Sequence, residues 1–494
     1  MANAPYRRSV VHALPAKAAL SALAVCACLA TSALPAHAEA SLRWRGSILG
    51  DIRFATTDGV PFERLETTGE VRLTARLSKH VAAGGHARLM FLHTQNPSRF
   101  EDLTDRSKLD PFRIESDALF VEFINIGLEG LDLRIGRQQI IWGTADRFHP
   151  TSNLNPLDLE DPIGFGQVIA NEMVSLRYRP DFSAGDGDVP WFDELSLELV
   201  FVPFFKPAEV PGTARAAFTE RAEFRPRANT PLMVRLVDQQ DALIEAGWTF
   251  TNNPSIHMPE RNLRNSMFGG RLGFRLLGMD LGFSYFRGFD DIPRAERILS
   301  TVVVTDVTTD IQLTYPRVQV FGFDFATSLE WLGGMGLWAE VGITQHPDLF
   351  RAVLTGPAVN VNEAETEYPK GLFTKAVIGL DYSITPWWYI NFQYLRGFPD
   401  EFGTDMIQNY IVAGMDFKFG TDTWLIRLFP IVNVDDGSFV LYPQITATPW
   451  TGGEITLGAL IYSGDLKKKR DVSKKFESLV VGSSSVFLRA KASF

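Results

Sequence analysis

Cysteine is scarce in this chain of 494 residues, and its two cysteines, Cys26 and Cys28, both lie close to the N-terminus. Everything beyond that segment is therefore free of disulfides. Long hydrophobic runs are missing too: no stretch after residue 38 reaches the roughly 18 apolar residues of a spanning helix, which excludes a helical membrane protein. Positive charge is in deficit, since 58 acidic residues outnumber 48 basic ones. This balance argues against nucleic acid as a partner.

The first 38 residues have the pattern of an export signal. Basic residues Arg7, Arg8 and Lys17 come first, an apolar segment covers 18–34, and Ala36-His37-Ala38 follows. We therefore predict a signal peptide at 1–38, cleavage after Ala38, and a mature domain at 39–494 with a net charge of −13 instead of −10. A membrane anchor is disfavoured because the run is shorter than the roughly 20 residues required. A lipoprotein signal at Cys28 is the weaker alternative.

Apolar and polar residues alternate with a period of two from residue 41 to the end. Side chains of a strand point alternately to its two sides, so each such segment presents one apolar and one polar face. The first segment has Leu42, Trp44, Gly46, Ile48, Gly50, Ile52 and Phe54 on one face and Arg43, Arg45, Ser47, Asp51 and Arg53 on the other. Many long strands of this kind, without helices between them, favour a wall between lipid and water.

The C-terminal strand repeats the pattern and ends on an aromatic residue. Its apolar face holds Val486, Leu488, Ala490, Ala492 and Phe494, and its other face holds Phe487, Arg489, Lys491 and Ser493. A terminal aromatic strand of this type resembles the signal that the barrel assembly machinery of Gram-negative bacteria recognises on its clients. The resemblance implies that this machinery is a partner.

The alternation predicts eighteen strands, with sixteen as the nearest alternative. They lie near 42–54, 65–79, 85–94, 117–126, 130–141, 171–179, 194–203, 267–277, 279–287, 317–331, 335–345, 371–384, 387–396, 407–419, 423–432, 438–447, 454–462 and 482–494. Short turns alternate with long links, as expected for periplasmic and extracellular sides, and 180–193 is the one exception. Eight tryptophans lie on the predicted periplasmic side, where indole rings favour the headgroup layer: Trp44, Trp191, Trp331, Trp338, Trp387, Trp388, Trp424 and Trp450.

An open sheet edge in lipid would leave backbone groups unpaired at several kcal/mol each, so the sheet must close. The predicted fold is an all-β, transmembrane, antiparallel up-and-down β-barrel whose long extracellular loops partly fill the lumen. Closure brings strands one, two and eighteen together. Their inward faces then form a basic pore wall from Arg43, Arg45, Arg53, Arg72, Arg76, Arg489 and Lys491, which could guide anions or simply pair with nearby acids such as Glu66 and Glu70.

The link 142–170 is the most distinctive of the chain. Its prolines and Asn/Asp residues favour a fixed path, and we predict that it narrows the pore as a constriction loop. The residues concerned are Trp142, Asp146, Arg147, Asn153, Asn155, Asp158, Glu160 and Asp161. Their acids could set up a transverse field opposite the basic wall, Asp158, Glu160 and Asp161 could hold calcium, or the loop could be packed without selectivity.

The strand before this loop, Leu133 to Gly143, contains Gly136-Arg137-Gln138-Gln139 and ends in Trp142-Gly143, and Asn155-Pro156 follows. Together these segments resemble a porin-like family of Gram-negative outer-membrane proteins known mainly as a domain of unknown function. Members are thought to be barrels associated with export or uptake of hydrophobic compounds, so the resemblance implies transport.

Two further segments carry expectations. Thr230-Pro231 and the apolar residues up to Gly247 predict a short capped helix. The basic run Lys467-Lys468-Lys469-Arg470, with Lys474 and Lys475, could be a solvated face or could bind lipopolysaccharide phosphates.

We expect a channel in the bacterial outer membrane, reached through the periplasm, that passes small solutes without its own energy source. The alternative is a conduit for hydrophobic or lipid-like compounds that works with an inner-membrane transporter. No enzymatic activity is expected, because the six histidines after residue 38 accompany no G-x-S-x-G or H-E-x-x-H motif. No cofactor is expected, and the expected surroundings are outer-membrane lipid and lipopolysaccharide.

Overall fold

The computed structural model describes residues 40–56, 61–92, 97, 99–184, 191–211, 242, 245–355, 365–368, 370–467, 474–477 and 482–494. The predicted signal peptide lies outside the described residues, and so does most of the predicted helix that begins at Thr230. Of that helix, Ala242 and Glu245 are described and helical, and Gly247 has a φ of 83°. No helix in the described part of the chain is long and apolar enough to cross a membrane.

Strands account for most of the described chain. In order they are β1 (Ser41–Ala55), β2 (Phe62–Arg76), β3 (Val81–Phe91), β4 (Phe112–Glu115), β5 (Leu119–Phe123), β6 (Leu131–Gln138), β7 (Asn171–Tyr178), β8 (Phe192–Val202), β9 (Thr249–His257), β10 (Met267–Leu276), β11 (Met279–Phe289), β12 (Arg294–Val303), β13 (Asp306–Thr314), β14 (Arg317–Leu329), β15 (Met335–His346), β16 (Leu349–Thr355), β17 (Glu365–Tyr368), β18 (Gly371–Thr385), β19 (Trp388–Arg396), β20 (Asn409–Phe419), β21 (Trp424–Asn433), β22 (Phe439–Trp450), β23 (Gly453–Tyr462) and β24 (Ser485–Ser493). The helices whose bounds the structure describes are short: the α-helix Arg106–Leu109 and 3-10 turns at Phe100–Thr104, Pro162–Gly164, Leu263–Asn265, Glu330–Leu332, Thr404–Met406, Ser463–Leu466 and Lys475–Glu477.

All strands except β9, β12, β13, β16 and β17 form one closed antiparallel barrel. Because β4 and β5 both pair with β3, they count as one interrupted strand, and the barrel has eighteen. The prediction of eighteen strands is confirmed and sixteen is wrong. Each barrel strand overlaps a predicted one, and short turns alternate with long links as predicted.

The barrel closes where β1 pairs with β24. Gly46 and Phe494 exchange two backbone hydrogen bonds, of 2.8 and 2.9 Å, so both ends of the described chain lie on one side of the barrel. The Phe494 ring lies over Gly46, where an added Cβ would be 2.4 Å from it. Glycine at position 46 therefore makes room for the terminal aromatic ring.

The outer surface of the barrel is apolar, as a lipid-facing surface must be. Large apolar side chains are exposed at the middle of neighbouring strands, among them Ile48, Val71, Leu89, Val121, Ile135, Leu199, Leu272, Phe283, Phe321, Ile343, Ile378, Phe392, Ile426, Leu457 and Leu488. Trp44, Trp191, Trp331, Trp387, Trp424 and Trp450 are exposed near the strand ends on the predicted periplasmic side. Trp338 departs from the predicted girdle, because its side chain points into the lumen and is buried.

The long links on the opposite side carry a second sheet that the sequence pattern did not predict. Its five strands lie in the order β17, β16, β12, β13, β9. The pairs β13–β9 and β12–β16 are parallel and join different links, whereas β12 and β13 form an antiparallel hairpin. The described parts of these long links therefore form a folded structure at that end of the barrel.

Candidate functional site

The lumen of the barrel is occupied by the link between β6 and β7, residues 139–170, which we call the plug loop. Asn155 fixes the two ends of this loop to each other. Its Oδ1 accepts a hydrogen bond from the Ile140 amide at 2.7 Å, while its Nδ2 donates to the carbonyl oxygens of Gln138 and Ile169 at 3.1 and 3.0 Å. The buried side chain of Asn155 thus connects the N-terminal and C-terminal ends of the plug loop. These contacts give the loop a defined path.

Trp142 attaches the plug loop to the wall at β8. Its side chain is buried, and its Nε1 donates a hydrogen bond of 2.9 Å to Oε2 of Glu198. The other carboxylate oxygen of Glu198 accepts from Ser175 and Arg177. The indole therefore satisfies part of a buried charge, as buried carboxylates require.

Glu340 on β15 is a second attachment point and is fully buried. Its Oε1 accepts from the backbone amide of Ala145 at 2.7 Å and lies 3.0 Å from His149 Nδ1, and its Oε2 accepts from the Thr151 hydroxyl at 3.2 Å. Gly143 is the residue beside it, with a φ of 105°, and an added Cβ there would be 2.0 Å from the carboxylate. Glycine at position 143, directly after Trp142, therefore allows the backbone of the plug loop to approach the Glu340 carboxylate closely.

Asp161 attaches the far end of the plug loop to the seam of the barrel. Its carboxylate accepts from Arg53 on β1 at 2.9 and 3.1 Å and from Arg489 on β24 at 3.1 Å, and Arg64 lies 3.6 Å away. Burial alone would raise the pKa of Asp161, but the hydrogen bond and charge of Arg53 outweigh it and lower this pKa to about 2. The carboxylate is therefore fully ionised at neutral pH.

Three acids form a cluster beside this end of the loop: Asp158, Glu160 and Glu209, whose ligand oxygens lie within 4.8 Å of one another. The sequence predicted Asp158, Glu160 and Asp161 as possible calcium ligands. In the structure Asp161 binds Arg53 instead, and Glu209 lies beside Asp158 and Glu160. The guanidinium of Arg113 already bonds Glu160. Burial raises the pKa of Asp158 and of Glu209, and the charge of Glu160 adds to both. A calcium role for these acids stays a prediction.

The remaining predicted loop residues are less engaged. Asp146 is exposed, with no hydrogen bond or ion pair to any described residue. Arg147 is exposed and donates to the Phe165 carbonyl oxygen at 3.2 Å, and Asn153 donates to that of Pro150 at 3.4 Å. Selectivity by these three side chains stays a prediction.

Apolar side chains of the wall pack against the plug loop on two sides. On one side, Ile140, Trp142 and Leu154 of the loop join a cluster with inward residues of β7, β8, β10, β11 and β14, among them Met173, Val200, Val202, Met267, Phe286, Val318 and Val320. On the other side, Ala145 and Ile163 join a cluster that includes Trp338, Val377, Leu395, Tyr410, Val412, Ile431, Leu460 and Phe487. The plug loop and the wall therefore share two packed apolar regions.

The predicted basic wall lies on three neighbouring strands with one inward face, as the pairings of β1 with β2 and β24 show. Arg53 and Arg489 are bound to Asp51 and Asp161, so they serve as the anchor for the plug loop. The other five are exposed toward the predicted periplasmic end: Arg43, Arg45, Arg72, Arg76 and Lys491. Their guidance of anions stays a prediction.

Sequence reasoning missed Glu198 and Glu340, the two wall carboxylates that bind the plug loop. Both occupy inward positions of strands β8 and β15, where the alternation places polar residues, but nothing in the sequence shows which inward acid meets the loop. The predicted basic run is only partly described: Lys475 is buried and bonds Asp400, and Lys467 bonds Glu477. Residues 468–470 lie outside the described residues.

The sequence profile of DUF1302, described as a protein of unknown function, matches residues 93–426. The chain belongs to the DUF1302 family. The family resemblance expected from the strand and loop at 133–156 is thereby confirmed at the level of the family. No curated protein sequence matches the chain.

Several solved structures are similar to this DUF1302 protein in fold. OccAB4 of Acinetobacter baumannii has a TM-score of 0.47 at 8% identity, with 92% of this chain and 98% of that chain covered. OmpF of Salmonella typhi, in a complex with daunomycin, has a TM-score of 0.37 at 8% identity, covering 92% and 97%. A mutant porin of Rh. blastica has a TM-score of 0.37 at 7% identity, covering 92% and 100%. Similarity this low does not indicate a shared solute.

Proposed function

We propose that this DUF1302 protein is an outer-membrane channel that lets small solutes cross without an energy source, through a lumen narrowed by the plug loop. The observation that carries the proposal is the attachment of one loop to three separate parts of the barrel wall. Trp142 binds β8, the segment around Ala145 binds β15, and Asp161 binds the seam of β1 and β24.

A loop held at three points across a lumen sets the size of the passage, because its position does not fluctuate with the solute. A closed barrel of about eighteen strands is wide enough for an aqueous channel unless loops fill it. Here the plug loop occupies part of the lumen, from Glu198 and Glu340 in the middle of their strands to Arg53 near the end of β1, and the exposed basic side chains lie toward the other end of β1. Passage through the barrel is therefore controlled by the space between the plug loop and the wall.

The purified protein in planar lipid bilayers tests this proposal. We expect discrete, salt-dependent conductance from the wild-type chain, and a larger conductance after deletion of residues 146–162. A deletion of residues 99–110 in the exposed link between β3 and β4 is the control and should leave the conductance unchanged. Silence of both the wild type and the 146–162 deletion would contradict the proposal.

A conduit for hydrophobic compounds that works with an inner-membrane transporter is the second candidate. It is favoured by the two apolar clusters, since inward residues such as Met267, Phe286 and Phe487 are unusual for a water-filled wall. A silent wild type in bilayers, together with increased sensitivity of a deletion strain to hydrophobic compounds that the wild-type gene reverses, would select this candidate.

We further propose that the chain reaches the outer membrane by export through residues 1–38 and insertion by the barrel assembly machinery. The apolar outer surface and the aromatic C-terminus at Phe494 support this route. A chain lacking residues 2–38 should remain in the cytoplasm, and removal of Phe494 should slow insertion, as followed by fractionation and by heat-modifiable migration in gels.

A further inference from the structure

A cavity of about 370 Å³ opens in the lumen beneath the start of the plug loop. We call it the arginine cavity, because Arg134, Arg177, Arg179 and Arg271 line it, together with Glu198 and Trp142. These four arginines come from β6, the end of β7 and β10, so neighbouring strands of one wall present them. A volume of this size accommodates a small organic ligand.

Each arginine is held in place by one carboxylate of the wall. The pairs are Arg134–Glu122 at 2.7 Å, Arg177–Glu198 at 2.6 Å, Arg179–Asp132 at 2.9 Å and Arg271–Asp324 at 2.7 Å. A guanidinium has five N–H donors in a fixed fork, and one carboxylate takes only some of them. The donors that remain are oriented by the pairing and are available to a ligand.

The oxygens of the one acid that lines the cavity are occupied. Glu198 is the acid that lines it, and its two oxygens already accept from Ser175, Arg177 and Trp142. The other three carboxylates are not among the lining residues. The cavity therefore offers donors in excess of free acceptors, which is the arrangement that binds an anion.

Arg271 adds a second observation. Its Nε is buried and has no hydrogen-bond partner among the residues that the structure describes, although an unsatisfied buried donor costs stability. Its other nitrogen binds Asp324, a carboxylate with 1% of its side chain exposed. Oδ1 of Asp324 is unsatisfied as well, and an oxyanion in the cavity reaches Arg271 through the 25% of its side chain that is accessible.

The roof of the cavity differs from its walls. Ile141 of the plug loop contributes to it and is 49% exposed, whereas Ile140 beside it is 6% exposed. A ligand that binds here has an oxyanion head against the arginines and an apolar part against Ile141. This combination defines a small amphiphilic anion.

We propose that the arginine cavity is a binding site for organic carboxylates with an apolar or aromatic body, on the periplasmic side of the plug loop. This inference rests on the proposed channel function and names the class of solute that the channel selects. Planar carboxylates match the fork of a guanidinium, which binds them in bidentate fashion. The site holds the solute at the narrow part of the lumen and so favours it over neutral molecules of the same size.

Calorimetric titration of the full-length protein in detergent with 2-naphthoate tests the proposal. We expect saturable binding that weakens with added salt, as electrostatic binding does, and no binding of the neutral 2-naphthamide. The double variant Arg271→Gln with Asp324→Asn removes one ion pair without a change in net charge. It should bind 2-naphthoate at least about tenfold more weakly.

A matched control comes from the same hairpin. Arg275 and Asp280 form an ion pair of 2.9 Å at the exposed turn of β10 and β11, outside the cavity. The double variant Arg275→Gln with Asp280→Asn should bind 2-naphthoate within about twofold of the wild type. Heat-modifiable gel migration shows that each variant is folded, and Arg179→Gln is the second test variant if Arg271→Gln with Asp324→Asn does not fold.

Three results would overturn the proposal: equal binding of 2-naphthamide, no binding of 2-naphthoate to the wild type, or equal losses in both double variants. Inorganic sulfate that competes fully at the same concentration would show a site for any oxyanion and would also overturn the carboxylate assignment. Failure of the proposed channel function gives a different result, because planar bilayers then show no conductance while calorimetric binding of 2-naphthoate persists.

Discussion

Replacement of Asp161 by asparagine tests the plug loop most directly. Asp161 is the residue through which the far end of the loop reaches Arg53 and Arg489 on both sides of the barrel seam. Asparagine keeps the size of the side chain and removes its charge. The variant should therefore weaken the anchor without creating a cavity.

The lowered pKa of Asp161 gives the size of the stabilisation that the asparagine variant should lose. Burial raises this pKa, but the favourable contacts with Arg53 and the other arginines prevail and bring it from 3.8 to about 2, which corresponds to about 2 kcal/mol. Because the folded pKa is the lower one, this stabilisation is complete above pH 4 and is lost as the pH falls through about 2. At neutral pH the variant should lose all of it.

Cysteine labelling measures the release of the loop end. Ile163 is buried beside Asp161, so a cysteine at this position reacts with a maleimide only when the loop opens. Residues 39–494 contain no cysteine, so Ile163→Cys is the single thiol of the predicted mature domain. A loss of about 2 kcal/mol raises the open population, and the labelling rate, about 30-fold at pH 7.

Asp146→Asn is the control, because Asp146 lies in the same loop and is exposed in the lumen. It should leave the labelling rate of Ile163→Cys unchanged. If Asp161→Asn and Asp146→Asn had the same rate, the ion pairs with Arg53 and Arg489 would contribute nothing to the position of the loop, and the reasoning would be refuted.

Three further predictions concern the lumen. Trp142→Phe removes the donor to buried Glu198 and should lower the stability by about 1–3 kcal/mol in urea unfolding followed in micelles; an unchanged midpoint would contradict this anchor. Asp291 follows β11 and accepts a hydrogen bond from the Leu157 amide of the plug loop at 2.7 Å. Burial, and then the charge of Asp290, raise the pKa of Asp291 to about 6, so its ionised form costs stability above pH 6, and this cost is relieved as the pH falls toward 4. The wild type should therefore gain stability from pH 7 to pH 4 relative to Asp291→Asn, and parallel pH profiles of unfolding would disprove this. Anion preference, measured by reversal potentials, should decline from 0.1 to 1 M salt as the Debye length falls from about 10 to about 3 Å; a constant preference would show that the basic wall does not guide ions.

The barrel strands were predictable because lipid imposes a strict rule on their outer faces. Residues such as Ile48 and Val71 must be apolar while Asp51 and Arg72 face inward, so the period of two is visible over the whole chain. The interruption at 116–118, between β4 and β5, was not visible, because the apolar positions continue on both sides of it.

The second sheet was not predictable for the opposite reason. Strands β9, β12, β13, β16 and β17 lie outside the membrane, where no face must be uniformly apolar. Their parallel pairs join distant links, as in the pairing of Thr249 with Asp306. Alternation within one segment carries no information about such partners.

The plug loop was predictable in its rigidity but not in its contacts. Prolines and asparagines of 142–170 indicated a fixed path, and Asn155 does fix it. The inward faces of the wall, however, were expected to be wet, whereas Phe487 and Trp338 are buried. The cause is the loop itself, which excludes water from the part of the lumen that it fills.

The contact of Asp161 with both edges of the seam also bears on how the barrel is completed. Arg489 pairs with Asp51 across the seam, and the correct alignment places both arginines within reach of one carboxylate. A slip of two residues would move Arg489 by roughly 6.6 Å and leave Asp161 with a single partner strand. The contacts of Asp161 thus favour the correct register of the seam. In a barrel that closes in the wrong register, the far end of the plug loop would be held less firmly against the wall.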